Sequence, residues 1–428
     1  MLSNSQLIIL GNGFDLQCGL KSSFDDFMQT RQAKFKEIVD TFQASPSPPT
    51  SDYICTPNGK QAHGSTLADW SWQKGLTIWD FLLCEDKQQR TWYDIEECIR
   101  TWVDCRHEAV NFHHKSLIEQ LCMDYQAYLE RYDFDFDFSK YEPSSGISST
   151  TEDIILSYAQ DFYSCIGEVD ALLQMFLDQL HRYERAFAIY LQEQQKKNRR
   201  YSFLANNLLL SLAEDQISQT ILKTNPSRQQ YKSCSESISI LNFNYTDPIK
   251  DDWKDKLTSL NIHGLASREN IIFGIDGTNL SAEQPHYADT VKFSKTYRLM
   301  ALSGNSHQPL VRPYLSNPEK GATDMIKFFG HSLSGADYSY FQAIFDEVDL
   351  YESNTHLIFY YNQNRPNNET KKTVKNNAQE EMFQKVNRLI TVYGQTQDNK
   401  DHGKNLLHKM LLEGRLTIKQ APISLNDE

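Results

Sequence analysis

The chain lacks paired cysteines. Its eight cysteines, Cys18, Cys55, Cys84, Cys98, Cys105, Cys122, Cys165 and Cys234, are scattered, with no C-x-x-C pair. A zinc site or a redox dithiol needs close pairs, so neither is expected, and the thiols read as reduced, mostly buried small hydrophobes. Long apolar runs are lacking too. No stretch approaches the roughly 20 residues of a membrane-spanning helix. Met1 to Leu10 carries no Lys or Arg, and its apolar run is only Leu7 to Leu10, so it does not read as a signal peptide. Positive charge is the third shortage: 43 Lys and Arg face 56 Asp and Glu, net −13. That excludes binding nucleic acid through a whole-surface basic field and leaves only local contact. The expectation is a cytoplasmic protein with no membrane partner.

What is present suits a globular chain. It has 428 residues, 39% of them hydrophobic and 12% aromatic, enough length for about three domains at roughly 150 residues each. Leu7-Ile8-Ile9-Leu10 reads as a strand buried on both faces, running directly into Gly11-Asn12-Gly13-Phe14-Asp15. Residues 24–43 read as a helix with Phe24, Phe27 and Met28 on one face. Residues 46–65, with Pro46, Pro48, Pro49, Pro57 and Gly59, read as a loop. From 66 to 215 the pattern is helical, clearest over Val169 to Leu191, where Leu173, Phe176, Leu177, Leu180 and Phe187 form one stripe. Lys196-Lys197-Asn198-Arg199-Arg200 then reads as a polar helix end that suits the macrodipole.

Strand-like runs return at Ile238–Leu241, Ile271–Phe273, Ile326–Phe329 and Leu357–Tyr360. Apolar strands that feed polar loops are the pattern of an open, mostly parallel α/β sheet with its ligand at the carboxyl ends. The predicted fold is Rossmann-like. Residues 1–45 are the first part of the core, 66–215 a helical insertion, 216–365 the remainder of the core and 366–428 a helical tail. Two tail helices are expected, ending at Gly394 and Gly414. Residues 371–428 carry net +3, which leaves −16 on the rest. A polyphosphate ligand would then be held by backbone N–H groups and local dipoles rather than by bulk charge.

Several groupings invite chemistry. Gly11-x-Gly13 after a buried strand is the opening of a phosphate cradle, though Leu16 breaks the G-x-G-x-x-G fingerprint and a tight turn with no ligand is the competing reading. His107-Glu108 lacks the second histidine of H-E-x-x-H, because position 111 is Asn111. Asp133 to Phe138 alternates strictly, as an edge strand or an acidic loop. The acids of Trp92-Tyr93-Asp94-Ile95-Glu96 are either surface charges on an aromatic core or ligand-facing groups. The set Asn242–Thr246, Ile262-His263-Gly264 and Phe329-Gly330-His331-Ser332-Leu333 is more telling. It pairs two histidines suited to acid–base work with an amide that can hold water or a hydroxyl.

These residues carry a resemblance. Gly11-Asn12-Gly13-Phe14-Asp15-Leu16, Gly19-Leu20, Phe24-Asp25-Asp26-Phe27, Trp92–Glu96, Phe243-Asn244-Tyr245-Thr246, Ile262-His263-Gly264, Phe273-Gly274-Ile275-Asp276, Gly330-His331-Ser332-Leu333 and Asp401–Lys409 resemble the bacteriophage abortive-infection AbiH family. That resemblance implies an anti-phage role in which the infected cell is sacrificed or arrested, with a phage-derived trigger protein and a homo-oligomer among the expected partners. A looser likeness is to sirtuin-like NAD-consuming domains, which open on G-A-G-x-S-x-x-x-G-I and continue with T-x-N-x-D, a histidine before glycine, and G-T-S-L. Here Asp15 stands where the serine would be, Asn242 for the leading threonine and Thr246 for the aspartate. The likeness implies NAD as substrate or ligand and no metal. His263 would be the general base, Asn244 would position water, and Gly11, Asn12, Gly13, Phe14, Asp15, Gly19, Gly330, His331 and Ser332 would bind the nucleotide. Two alternatives stand beside hydrolysis: a nucleotide-binding sensor or scaffold that cleaves nothing, and a metal-dependent nuclease or phosphoesterase that uses the acids of Trp92–Glu96 with His263 or His331.

Overall fold

The computed structural model describes residues 5–44, 54–55, 61–62, 67–85, 92–104, 117–122, 149–163, 168–214, 238–249, 257–277, 280–302, 309–311, 322–362, 371–397 and 400–422. The chain divides into two compact units. One comprises Met1–Ser22, Leu191–Ser267 and Ser303–Glu428, the other Ser23–Tyr190 and Arg268–Leu302. The stretches around His107 and His113, Asn58-Gly59-Lys60 and Asp133–Phe138 lie outside the described residues. Of the described cysteines, Cys18 is buried, and Cys98 and Cys122 are half-buried.

The first unit is built on six parallel strands: β1 (Ser5–Leu10), β2 (Ile238–Asn242), β3 (Thr258–Asn261), β4 (Thr323–Phe329), β5 (His356–Tyr361) and β6 (Leu416–Gln420). Their order across the sheet is β3-β2-β1-β4-β5-β6. That is the order of doubly wound dinucleotide-binding folds, in which the chain leaves β1 in one direction and returns on its other side with β4. Leu7, Ile8, Ile9 and Leu10 are all fully buried, as a central strand covered on both faces requires. Each such side chain contributes about 1.5–3 kcal/mol by leaving water. Helices α1 (Asn12–Gln17), α2 (Tyr201–Glu214), α3 (Tyr338–Glu347), α4 (Lys371–Gln395) and α5 (Lys400–Leu412) belong to this unit. Ile8, Leu10 and Phe14 share a core with Leu208, Leu209 and Leu212 of α2. Lys327 of β4 is buried, and its Nζ donates to the carbonyl of Leu212 near the end of α2, where the helix is electronegative.

Two strands differ from the sequence reading. β3 and β6 are edge strands with mixed, half-exposed residues and no continuous apolar run, so pattern alone does not mark them. The tail therefore adds a strand to its two helices. Conversely, Ile271-Ile272-Phe273 is buried but is not a strand. The Phe273 N–H donates to Glu184 Oε1 at 2.6 Å and its carbonyl accepts from Arg298 at 2.7 Å. Side chains hold the backbone groups a ladder would need.

The second unit is mainly helical, with segments Phe24–Ala44, Leu67–Gln73, Ile78–Glu85, Trp92–Val103, Ser149–Ser157 and the first part of Val169–Lys197. The stripe Leu173, Phe176, Leu177, Leu180 and Phe187 is buried as its spacing demands. Phe27 packs edge-on against Phe187 at 4.9 Å and against Tyr183 at 5.4 Å. Arg31 makes a two-pronged pair with the buried Asp80, both contacts 2.6 Å, and Asp80 also accepts from the Thr77 N–H. Among the described residues no helix is long and apolar enough to cross a membrane.

Helices α4 and α5 touch backbone to backbone. A Cβ on Gly403 would stand 1.8 Å from the Gly394 carbonyl oxygen, and one on Gly394 would stand 2.2 Å from that of Gly403. Gly394 thus serves a close crossing, and α4 runs through it to Gln395. Gly403→Ala is expected to cost about 2–3 kcal/mol by overpacking. Gly335→Ala, with open space around it, is expected to stay within about 0.5 kcal/mol. Thermal denaturation of the two variants checks the contrast.

Candidate functional site

At the carboxyl end of the sheet the chain after β1 meets the chain after β4. Gly11 N–H continues the ladder to Phe329 C=O at 2.9 Å, and Gly13 N–H donates to Gly330 C=O at 2.8 Å. A Cβ on Gly11 would lie 2.5 Å from His331 Cα, and one on Gly330 would lie 2.4 Å from Phe14 N. Gly330 also has φ +69°, where glycine is favoured. The sequence left this turn open as a cradle for phosphate or a tight turn with no ligand. Here the Gly11 and Gly13 N–H groups bond to protein carbonyls, and the glycines serve the close approach of two loops. Asn12 is half-buried, its Oδ1 accepting from Ser22 Oγ at 2.6 Å. Phe14 is a core side chain, edge-on to Phe329 at 5.9 Å. Gly19 terminates α1, with the Leu20 N–H bonded to Asp15 C=O and its own to Leu16 C=O, the pairing that places glycine just after a helix.

Asp15 is 1% exposed and faces protein. Tyr201 OH donates to its Oδ1 at 2.7 Å, Thr246 Oγ1 donates to Oδ2 at 2.6 Å, and the two hydroxyl oxygens stand 3.0 Å apart. Each carboxyl oxygen of Asp15 thus accepts one hydroxyl hydrogen bond. Burial pushes Asp15 from an ordinary 3.8 to about 6, against the opposing pull of Thr246 and Tyr201.

The turn after β2 is held rigidly. Asn242 donates from Nδ2 to Thr246 C=O at 2.8 Å and accepts the Asn244 N–H at 3.0 Å, while Asn261 Nδ2 donates to the carbonyls of Asn244 and Thr246. The backbone thereby fixes the Asn244 side chain in the interior, 2% exposed. Neither its Oδ1 nor its Nδ2 has a hydrogen-bond partner among the described residues. Leaving a buried polar atom unbonded costs about 1–3 kcal/mol, so an amide with both atoms unbonded makes Asn244 a candidate site residue. The residues on either side of it lie against His263: the Phe243 ring at 5.5 Å and the Tyr245 ring at 6.0 Å.

His263 follows β3 and His331 follows β4, and one carboxylate joins them. His263 Nε2 is 3.5 Å from Asp337 Oδ1, and His331 Nε2 is 3.3 Å from Asp337 Oδ2. His331 Nδ1 accepts the Leu333 N–H at 3.0 Å, so in the neutral ring the proton sits on Nε2, toward Asp337. Leu333 has φ +56°, a strained conformation for leucine. Phe243 packs edge-on against both histidine rings. Ser332 is exposed, its Oγ donating to Ser334 Oγ. The structure thus places Asn244, His263 and His331 after the carboxyl ends of β2, β3 and β4. It keeps Phe14 and Asp15 interior and places Gly19 at a helix end.

Asp337 and Tyr201 escaped sequence reasoning as site residues, and Thr246 was marked only as part of the Asn242–Thr246 set. Asp337 occupies the N-cap of α3, and its side chain makes no capping bond. Glu96, needed by the metal-dependent alternative, forms an ion pair with the buried Lys295. Among the described residues no group of three or more His, Cys, Asp or Glu is placed to hold a metal ion.

Comparison with known proteins adds one finding. A family model described as bacteriophage abortive infection AbiH matches residues 7–361. No curated protein and no solved structure matches the chain.

Asp15 sets a pH dependence. Its carboxyl holds a proton more tightly folded than unfolded, so its contribution is fully present below pH 3.8 and is lost as pH rises through about 6. The shift corresponds to about 3 kcal/mol. Between pH 4 and 7 the wild type is expected to lose on the order of 2–3 kcal/mol relative to Asp15→Asn. Urea denaturation at both pH values checks it.

Proposed function

The chain belongs to the bacteriophage abortive-infection AbiH family, and we propose that it acts in that role by hydrolysing NAD at the nicotinamide–ribose bond. The observation that supports this reading best is the buried Asn244 amide, both polar atoms without a partner among the described residues, on a turn whose Phe243 and Tyr245 rings lie against His263. Both lie at the carboxyl ends of strands near the β1/β4 switch point, where open α/β sheets bind nucleotides.

In the proposed reaction the bond from ribose C1′ to the nicotinamide nitrogen breaks. Nicotinamide leaves with the bonding electrons as a neutral molecule, and positive charge develops on the ribose. Asn244 holds the attacking water or a ribose hydroxyl through its carbonyl and amide groups. His263 takes the proton that the water gives up as its oxygen bonds to C1′, and Asp337 supplies the counter-charge to the imidazolium. The products are ADP-ribose, nicotinamide and a proton. His331 holds Asp337 through its Nε2–H and so acts as a positioning residue. The diphosphate is placed at the exposed Ser332. The burial of Asn244, His263 and His331 favours a second reading, in which a nucleotide is bound as a signal and not cleaved.

Purified full-length protein incubated with NAD, with and without phage lysate, is expected to release nicotinamide. His263→Ala and Asn244→Ala are each expected to lower the rate at least about 100-fold. Chromatographic measurement of nicotinamide checks this. No release under any condition, with NAD still bound, selects the second reading. Undiminished release by His263→Ala overturns the assigned base.

A further inference from the structure

A second feature of the first unit lies apart from the histidine cluster. A cavity of about 390 Å³ opens where α1 ends and where the helix Val169–Lys197 hands over to α2. Lys21, Lys197 and Arg200 line it, and no carboxylate does. All three cations are exposed, and among the described residues none has an ion-pair partner. In a chain of net charge −13, three unpaired like charges around one cavity are a local exception that needs a cause. Water and salt screen much of their repulsion, and an anion between them would relieve the rest.

Helix-end chemistry accounts for only one of them. Lys197 ends its helix, where a cation complements the carboxyl-terminal dipole. Lys21 comes from a different segment and lies at no helix end, and Arg200 immediately precedes α2, where the dipole disfavours a cation. The two helix dipoles meet here with opposite sign, so the positive field comes from the side chains. The floor is rigid: Asn198 Nδ2 donates to Cys18 C=O at 3.2 Å and Gly19 C=O at 2.9 Å, and Asn198 Oδ1 accepts the Arg200 N–H. That lattice of bonds ties the segment carrying Lys21 to the one carrying Lys197 and Arg200.

We propose that this cavity binds a compact polyphosphate, either free or as the tail of a nucleotide. Three convergent cations on a braced floor match an anion with several phosphate groups, each offering charged acceptor oxygens. No aromatic side chain lines the cavity, which removes the stacking platform that single-stranded nucleic acid uses. Recognition therefore rests on the phosphates. The site is independent of the nicotinamide chemistry proposed above, since none of its residues belongs to that cluster.

Calorimetric titration of the full-length protein tests it. Inorganic tripolyphosphate is expected to bind saturably at one site, more weakly as salt is raised. Lys21→Gln, Lys197→Gln and Arg200→Gln are each expected to weaken binding on the order of tenfold, with unchanged thermal stability because the side chains are exposed. His263→Ala and Asn244→Ala are expected to bind as the wild type does, which separates this site from the candidate catalytic one. Titration with ATP distinguishes the sources: equal affinity assigns free polyphosphate, tighter binding assigns a nucleotide. The proposal is overturned if tripolyphosphate shows no saturable binding up to about 1 mM. It is also overturned if the three Gln variants bind normally, or if oligothymidylate binds more tightly than tripolyphosphate.

Discussion

Backbone meets backbone at the centre of the sheet, and the rest of the first unit is arranged around that contact. The turn leaving β1 and the loop leaving β4 approach so closely that a methyl group on Gly11, Gly13 or Gly330 would collide with main-chain atoms of the opposite loop. The two N–H groups that an anion would use are occupied by the carbonyls of Phe329 and Gly330. Close approach fixes where His331 begins, and through the bond to Leu333 it fixes which ring nitrogen carries the proton. It also sets the start of α1, and thereby puts Asp15 within reach of Tyr201 and Thr246.

Polar groups collect in the interior at this end of the sheet, and their satisfaction is uneven. Asp15 is enclosed by two hydroxyl donors, one on each carboxyl oxygen. Asp337 stands between two histidines. The Asn244 amide is held in place by its own backbone bonds, with neither polar atom bonded among the described residues. The uneven satisfaction separates the Asp15 carboxyl, whose oxygens are both bonded, from Asn244, whose amide is the candidate site group.

How far the pattern of residues could be read depended on burial. β1, β2, β4 and β5 are covered by protein on both faces, so they appear as continuous apolar runs. The helical stripe from Leu173 to Phe187 was equally plain. β3 and β6 lie at the sheet edges, where half-exposed side chains erase the signal. Ile271 to Phe273 carries the apolar signal of a strand, yet Glu184 and Arg298 hold its backbone groups. For the candidate site, Asn244, His263 and His331 stood out as polar groups at strand ends. Asp337 did not, because its link to both histidines exists only in space.

The amino-acid sequence by itself determined the α/β class, the central strand, the helical character of the second unit and the residues that resemble the abortive-infection family. Those properties follow from local periodicity and from motifs along one stretch of chain. The tertiary structure decided what each polar group does. Gly11 and Gly13 became a packing contact and Asp15 a sealed interior carboxyl, while Lys21, Lys197 and Arg200 became a cationic cavity in an acidic chain. The reason is physical: a hydrogen bond, an ion pair or a backbone contact between distant residues depends on distance and burial, and neither is written in the order of the residues.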